Sequence, residues 1–436
     1  MDPIAAGALS ILAMLALIIV GVPVSISMGI VAATGMWIFG GPAFLLTNLE
    51  TLPYTLSTQF TFIVIPMFVL MGVLTSNAGI TAELYTAAFR WTSRFRGSLY
   101  YATTIASAGF AAINGATVVS ALLFTRIALP EMVRLGFHRG LSAGCICAAG
   151  ALAAMIPPSV VMVLYGIITG ESVGQLLIAG VVPGILTAAA YVVGMAILLK
   201  IRPDYAPVLN QHFSLRERLE SLQAVWPVLA LALIVLGGIY TGLMFPSSAG
   251  AVGAMGALLI GVMRRRLGPS AIWNSVKQAA STTAVLFLIL IGGLLFARLL
   301  LINGFIMSFT DAIARIGLSA WVFIALVIVL LLVLGCLVDS ISMMVMTIPF
   351  LYPIAKHLGI DPIWFGVIIC KLIEIAVISP PIGINLYAVL MAAEGRVSAG
   401  ELFRGVIPFL GFELVTLGLL LAVPELCLWL PRTMVR

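Results

Sequence analysis

The helix breakers of this chain repeat at a fixed spacing. Met155-Ile156-Pro157-Pro158-Ser159 is answered 223 residues later by Ile378-Ser379-Pro380-Pro381-Ile382, and the same offset pairs Pro23 with Pro246, Pro130 with Pro353 and Gly136 with Gly359. Eleven prolines lie in residues 1–213, and four of them recur at this offset. At a usage of about 5%, roughly one or none would. Proline removes an N–H and clashes with the carbonyl one turn back, so each Pro-Pro pair opens a helix. Paired, broken apolar segments in two halves of one chain point to a transporter with its site between the halves.

Composition fixes the solvent. The chain is 62% hydrophobic and 9% charged, against about 25% charged in soluble domains, and its mean hydropathy is +1.21. Such a surface belongs in lipid, which excludes soluble enzymes and nucleic-acid binders. The net charge of +6 gathers in short loops, as in membrane proteins whose cytoplasmic loops are basic. Cys145, Cys147, Cys336, Cys370 and Cys427 lie in apolar stretches without metal-like spacing and read as small core residues. No basic leader precedes the first apolar run, which reads as an uncleaved span.

Apolar runs occur at 4–20, 24–46, 60–76, 141–168, 174–199, 225–243, 246–263, 280–301, 361–393 and 405–430. Each approaches the ~20 residues that span a hydrocarbon core. Residues 98–130 and 320–356 differ, because Ala112-Ile113-Asn114-Gly115-Ala116-Thr117 and Gly335-Cys336-Leu337-Val338-Asp339-Ser340 interrupt their centres. Both read as re-entrant helical hairpins, whose non-helical tips need protein or a wet cavity around them. The expected fold is an all-α polytopic membrane protein with an inverted repeat, two re-entrant hairpins and two Pro-broken transmembrane helices. The first repeat covers 1–200, a cytoplasmic linker 201–224, and the second repeat 225–436. Arg264-Arg265-Arg266 falls on the linker's side, two spans later. Arg90-Trp91-Thr92-Ser93-Arg94-Phe95-Arg96 reads either as an interfacial arm or as an ordinary basic loop.

Several residues suit transport chemistry. At Asn114-Gly115 the backbone can turn, and its carbonyls are hard ligands for a small cation. The half-helix beyond can face an anion. The Pro pairs free carbonyls near Ala153–Ile156 and Ala376–Ser379, with hydroxyls at Ser159 and Ser379. Asp339 is a cation-site candidate. Asn385, four residues after Pro381, can hydrogen-bond a carboxylate. Lys371 and Glu374, three apart on one helix, either pair with each other or divide between a substrate carboxylate and a cation. Arg298 and Glu413 read as interface or packing charges. His138, His212 and His357 stand far apart, and no GxSxG, HExxH or Walker A pattern occurs. The chain is therefore not an enzyme, and its transport would draw on an ion gradient.

Nearly the whole chain resembles the large membrane (permease) subunit of TRAP transporters, the tripartite ATP-independent periplasmic transporters. The resemblance runs through Ile65-Pro66-Met67-Phe68-Val69-Leu70-Met71-Gly72, Ile113-Asn114-Gly115-Ala116, Ile127-Ala128-Leu129-Pro130-Glu131-Met132, Ile156-Pro157-Pro158-Ser159 and Ala179-Gly180-Val181-Val182-Pro183-Gly184. It continues through Ala249-Gly250-Ala251-Val252-Gly253-Ala254, Lys371-Leu372-Ile373-Glu374-Ile375 and Ser379-Pro380-Pro381-Ile382-Gly383-Ile384-Asn385-Leu386-Tyr387. It implies an elevator-type carrier in the bacterial inner membrane that takes up organic acids (carboxylates) on a sodium gradient. It further implies a small four-helix membrane subunit and a periplasmic substrate-binding protein as partners. One sodium (Na+) site would use Asn114, Gly115, Ala116 and Thr117 with Ala153, Ile156 and Pro158; a second would use Gly335 and Asp339 with Ala376, Ser379 and Ile382. Substrate would sit between the tips, near Asn114, Gly115, Ser340 and Asn385. The moving body would hold the hairpins and Pro-broken helices, and the scaffold the early spans, the 174–243 region and the C-terminal helix.

The chain departs from the family pattern at Asn114-Gly115-Ala116, where Ser-Gly-Ser is common, and at Ala153 and Ala376, where Gly is. Ser379 replaces a Thr, and Phe245-Pro246-Ser247-Ser248 lacks a frequent Glu. The rival reading is a stand-alone ion-coupled carboxylate carrier of related fold that needs no binding protein.

Overall fold

The computed structural model describes residues 2–209, 211 and 213–434; His212 lies outside the described residues. Among them every regular element is helical. Several helices start where the sequence supplies a cap. The side chains of Ser159, Ser172, Ser214, Ser319, Asp339, Asp361 and Ser398 each accept an N–H of the turn that follows, satisfying donors a helix start leaves open. Seven helices are long and apolar enough to cross a membrane.

The elements recur as the breakers do. Ser98–Asn114 and Thr117–Arg134 form the first hairpin; Ala320–Gly335 and Ser340–His357 form the second. Gly136 and Gly359 follow the hairpins with φ of +82° and +71°, a turn that glycine makes without strain. Arg139–Ala151 and Val160–Thr169 are the two parts of the first broken helix, and Pro362–Ile378 and Ile384–Ala392 those of the second. The Pro157-Pro158 and Pro380-Pro381 bonds are both cis.

Packing crosses between the halves. The first part of each broken helix lies on its own hairpin. The second part lies on the other: Val160–Thr169 packs against Ser340–His357, and Ile384–Ala392 against Thr117–Arg134. Arg139–Ala151 packs closely on Ala399–Ala422 because Gly140, Gly144 and Gly405 bring the backbones together; a Cβ at Gly140 or Gly144 would run into the backbone of Glu401 or Gly405.

One boundary differs from the sequence reading. Helix Leu215–Tyr240 starts inside the stretch taken as a 201–224 linker, because Ser214 and Glu217 form a reciprocal capping box. Helices Val181–Ile201 and Ala399–Ala422 pack on each other and against the hairpin and broken-helix body, for Val181–Ile201 lies along Ser98–Asn114 and Ala399–Ala422 along Arg139–Ala151 and Pro362–Ile378. The other body contains Val24–Thr58 against Pro269–Ile302, Val64–Asn77 against Pro246–Met263, and Leu215–Tyr240 against Ile80–Thr92. Arg90 and Trp91 at the end of Ile80–Thr92 donate to the carbonyls of Glu217 and Arg218 at 3.1 and 3.3 Å, so this basic segment is docked on the start of that helix.

Candidate functional site

The first hairpin turns at Gly115, where φ is +65°. Asn114 is buried, and its Nδ2 donates to the Ala116 carbonyl at 3.0 Å and to Ser120 Oγ at 3.2 Å, closing the tip on itself. The tip is seated on the first Pro-Pro loop. The Val160 N–H reaches Gly115 O at 3.5 Å, and a Cβ on Gly115 would collide with the Pro158 carbonyl. Beneath it the helix gives way to the short turn Leu152–Ala154. Pro157 and Pro158 cannot donate to the carbonyls of Ala153 and Ala154; Ala154 O accepts the Ser159 hydroxyl at 2.6 Å instead. The Ala153 carbonyl is thereby released from the helical ladder, beside a turn rich in backbone oxygen. Thr117 opens the second arm, Ile156 is half-buried against Gly184, and Gly72 of Val64–Asn77 lies directly over Asn114.

The second tip repeats the arrangement with different chemistry. Gly335 packs against Ala376 so closely that a Cβ there would meet the alanine methyl, and Cys336 Sγ lies 3.8 Å from Pro380 O. Asp339 caps its own helix: Oδ1 accepts the N–H groups of Ile341 and Ser342 at 3.0 and 3.1 Å, and Oδ2 accepts the Ser342 hydroxyl. Its carboxylate serves the fold here. Ser340 follows it, buried. Ser379 Oγ donates to Ile375 O at 2.8 Å, which leaves its lone pairs free to accept. Ile382 sits on the outer edge of the loop and is 43% exposed.

Asn385 is the polar residue beside these tips with least support from the fold. It is fully buried, and neither Nδ2 nor Oδ1 has a protein partner. Its helix, Ile384–Ala392, packs on the second arm of the first hairpin. An unpaired buried amide costs about 1–3 kcal/mol, so it stands out as a group that could serve a ligand.

Lys371 and Glu374 pair as their spacing suggests, at 2.9 Å and without exposure. The sequence did not disclose the rest of the cluster. Lys371 also pairs with Glu413 and donates to Thr187 Oγ1 at 2.9 Å, while Tyr191 donates to Glu413. The cluster joins Pro362–Ile378, Val181–Ile201 and Ala399–Ala422. Lone polar residues in apolar helices were the available signal, but their partners are set by tertiary packing.

The model of the family described as "Tripartite ATP-independent periplasmic transporter, DctM component" matches residues 11–426. The chain is 34% identical over 378 residues to the C4-dicarboxylate TRAP transporter large permease protein DctM of Pseudomonas aeruginosa, covering 86% of this chain and 87% of that one. It is 30% identical over 431 residues to the sialic acid TRAP transporter large permease protein SiaM of Vibrio cholerae, covering 97% and 98%. Among solved structures, the YdaH transporter of Alcanivorax borkumensis matches with a TM-score of 0.61 at 14% identity over 88% of each chain, a likeness of fold. Family match, relatives and fold agree, and the chain belongs to the TRAP transporter family as a large permease subunit.

Proposed function

We propose that this permease takes up an organic acid on a sodium gradient by an elevator movement in the bacterial inner membrane. It would act with a small four-helix membrane subunit and a periplasmic substrate-binding protein. The observation that carries the reading is the seating of both hairpin tips on Pro-broken loops, with the buried, unpartnered Asn385 on a half-helix that crosses to the opposite hairpin. Relatives named for C4-dicarboxylates and for sialic acid support a carboxylate substrate.

In this reading the oxygens of Asn114, Gly115, Thr117, Ala153, Ile156 and Pro158 hold one cation, and those of Gly335, Asp339, Ala376, Ser379 and Ile382 hold another. The residues fit a hard cation through backbone oxygens; among the described residues no cluster of three or more His, Cys, Asp or Glu side chains is arranged to hold a metal. Bound sodium supplies positive charge beside the tips. Ser340, Asn385, Asn114 and Gly115 then orient the carboxylate between them.

Reconstituting the chain with its small subunit in proteoliposomes tests this. Labelled succinate or N-acetylneuraminate uptake should require an inward sodium gradient and the soluble binding protein. Uptake without sodium under a proton gradient would exclude the sodium sites, and uptake by the chain alone would make it a stand-alone carrier.

A further inference from the structure

A cavity of about 600 Å³ lies between the two bodies, away from both tips. Its walls come from Val24–Thr58 and Pro269–Ile302 on one side, and from Val160–Thr169 and Ser340–His357 on the other. It is within the size range of small-molecule sites. Most of the lining is aliphatic or aromatic. Arg298 is the charged residue in it, with Thr51, Thr55, Gln59 and Tyr352 as polar neighbours.

Arg298 is built into this position. Its Nη1 donates to Asn48 Oδ1 at 2.9 Å, and Asn48, itself buried, is fixed by its Nδ2 donating to Phe44 O at 2.8 Å. This is the guanidinium's hydrogen bond among the described residues, and no described carboxylate forms an ion pair with it. An arginine near a helix end ordinarily reaches for lipid headgroups. This one is itself exposed on the wall of the cavity, and buried Asn48 fixes its Nη1, with the rest of its donor fork available. A planar guanidinium fork matches a carboxylate in two parallel hydrogen bonds.

The position within the molecule adds direction. Arg298 is near the C-terminal end of Pro269–Ile302, and Arg264-Arg265-Arg266 precedes the other end. A 34-residue helix is about 50 Å long, so the cavity belongs to the face opposite that basic triplet. Basic loops mark the cytoplasmic side. The cavity therefore faces the side from which an imported anion arrives.

We propose that Arg298, oriented by Asn48, forms an entry site for a small organic carboxylate, distinct from the site between the tips. The assignment of its role as an entry site rests on the uptake reading above; the binding itself does not.

The test is equilibrium binding of labelled succinate and N-acetylneuraminate to the permease with its small subunit in nanodiscs, in sodium-free buffer, where the tip site is not supported. Wild type should bind at least one of these carboxylates. R298Q should weaken that binding about tenfold or more, R298K should retain an intermediate affinity, and N48A should weaken it less than R298Q. Sodium-induced thermal stabilisation of R298Q checks its folding, and R298K decides the matter if R298Q fails that check. Equal binding by wild type and a folded R298Q, equal binding by wild type and R298K, or no sodium-free carboxylate binding by wild type overturns the site. Displacement by inorganic phosphate as readily as by carboxylate makes it a general anion site and overturns the carboxylate assignment. Sodium-driven uptake is measured separately, so the entry site can fail while the transport reading stands. In proteoliposomes, R298Q should raise the half-saturating substrate concentration about tenfold while leaving the half-saturating sodium concentration unchanged.

Discussion

Asn385 and Gly115 are two residues whose placement strains the fold in different ways. Asn385 keeps a buried amide without a protein partner. Asn385→Leu removes that desolvated group at similar volume, so unfolding stability should hold or rise by up to about 1–3 kcal/mol, while carboxylate uptake falls severely. A thermal melt beside an uptake assay reads both; a strongly destabilised variant would mean that the amide is satisfied by the fold. Gly115 is committed by geometry. Its φ of +65° and the Pro158 carbonyl beside it leave no room for a Cβ. Gly115→Ala should cost about 1–2 kcal/mol from the left-handed backbone alone, before the steric conflict. It should also raise the sodium concentration for half-maximal uptake several-fold. A normal sodium dependence in a folded Gly115→Ala protein would remove the first tip from the cation site.

At the scale of elements, the buried charges tie three helices together. The cluster holds one lysine and two glutamates without exposure, so its formal charges sum to −1. Lys371→Met leaves two facing carboxylates and should destabilise by about 3–5 kcal/mol. Glu374→Gln removes the excess charge and should cost only a fraction of that. Chemical or thermal unfolding of both variants tests the order, and a reversed order would mean that Lys371 is not the charge that holds the cluster. The elements themselves were largely legible in the sequence. Both hairpin interruptions and both Pro-Pro breaks follow from local chemistry, since glycine and proline act on their own backbone. The partners of Lys371 were not legible, because Glu413 and Tyr191 reach it through packing between helices far apart in the chain. For the same reason the sequence carried no sign that Val181–Ile201 and Ala399–Ala422 pack on each other and along the hairpins and broken helices. Hydropathy marks a span but carries no record of which neighbour it packs against, and the Gly140, Gly144 and Gly405 contact becomes visible only when the helices are paired.

At the scale of the whole molecule, the proposed elevator movement requires some interfaces to slide. Helix Pro269–Ile302 offers a contrast between two adjacent glycines. Gly292 abuts the backbone of Ser25 in the Val24–Thr58 helix, whereas Gly293 abuts Val345 in the second hairpin. The first contact lies within one body and the second lies between the two. A side chain at Gly292 meets a carbonyl that cannot rotate away, so Gly292→Leu should act mainly on stability. Gly293→Leu meets a side chain across a surface that an elevator movement must shear, so it should lower the maximal uptake rate while leaving equilibrium sodium affinity close to wild type. The pair is read by thermal melts, sodium-induced stabilisation and uptake rates in proteoliposomes. If Gly293→Leu transports at the wild-type rate, the hairpin does not slide past this helix there, and the elevator boundary must lie elsewhere. If Gly292→Leu instead is stable and slow, the Val24–Thr58 helix travels relative to Pro269–Ile302. A slow Gly293→Leu, or a stable and slow Gly292→Leu, assigns the boundary between fixed and moving parts to one side of this helix, because the two glycines meet different neighbours.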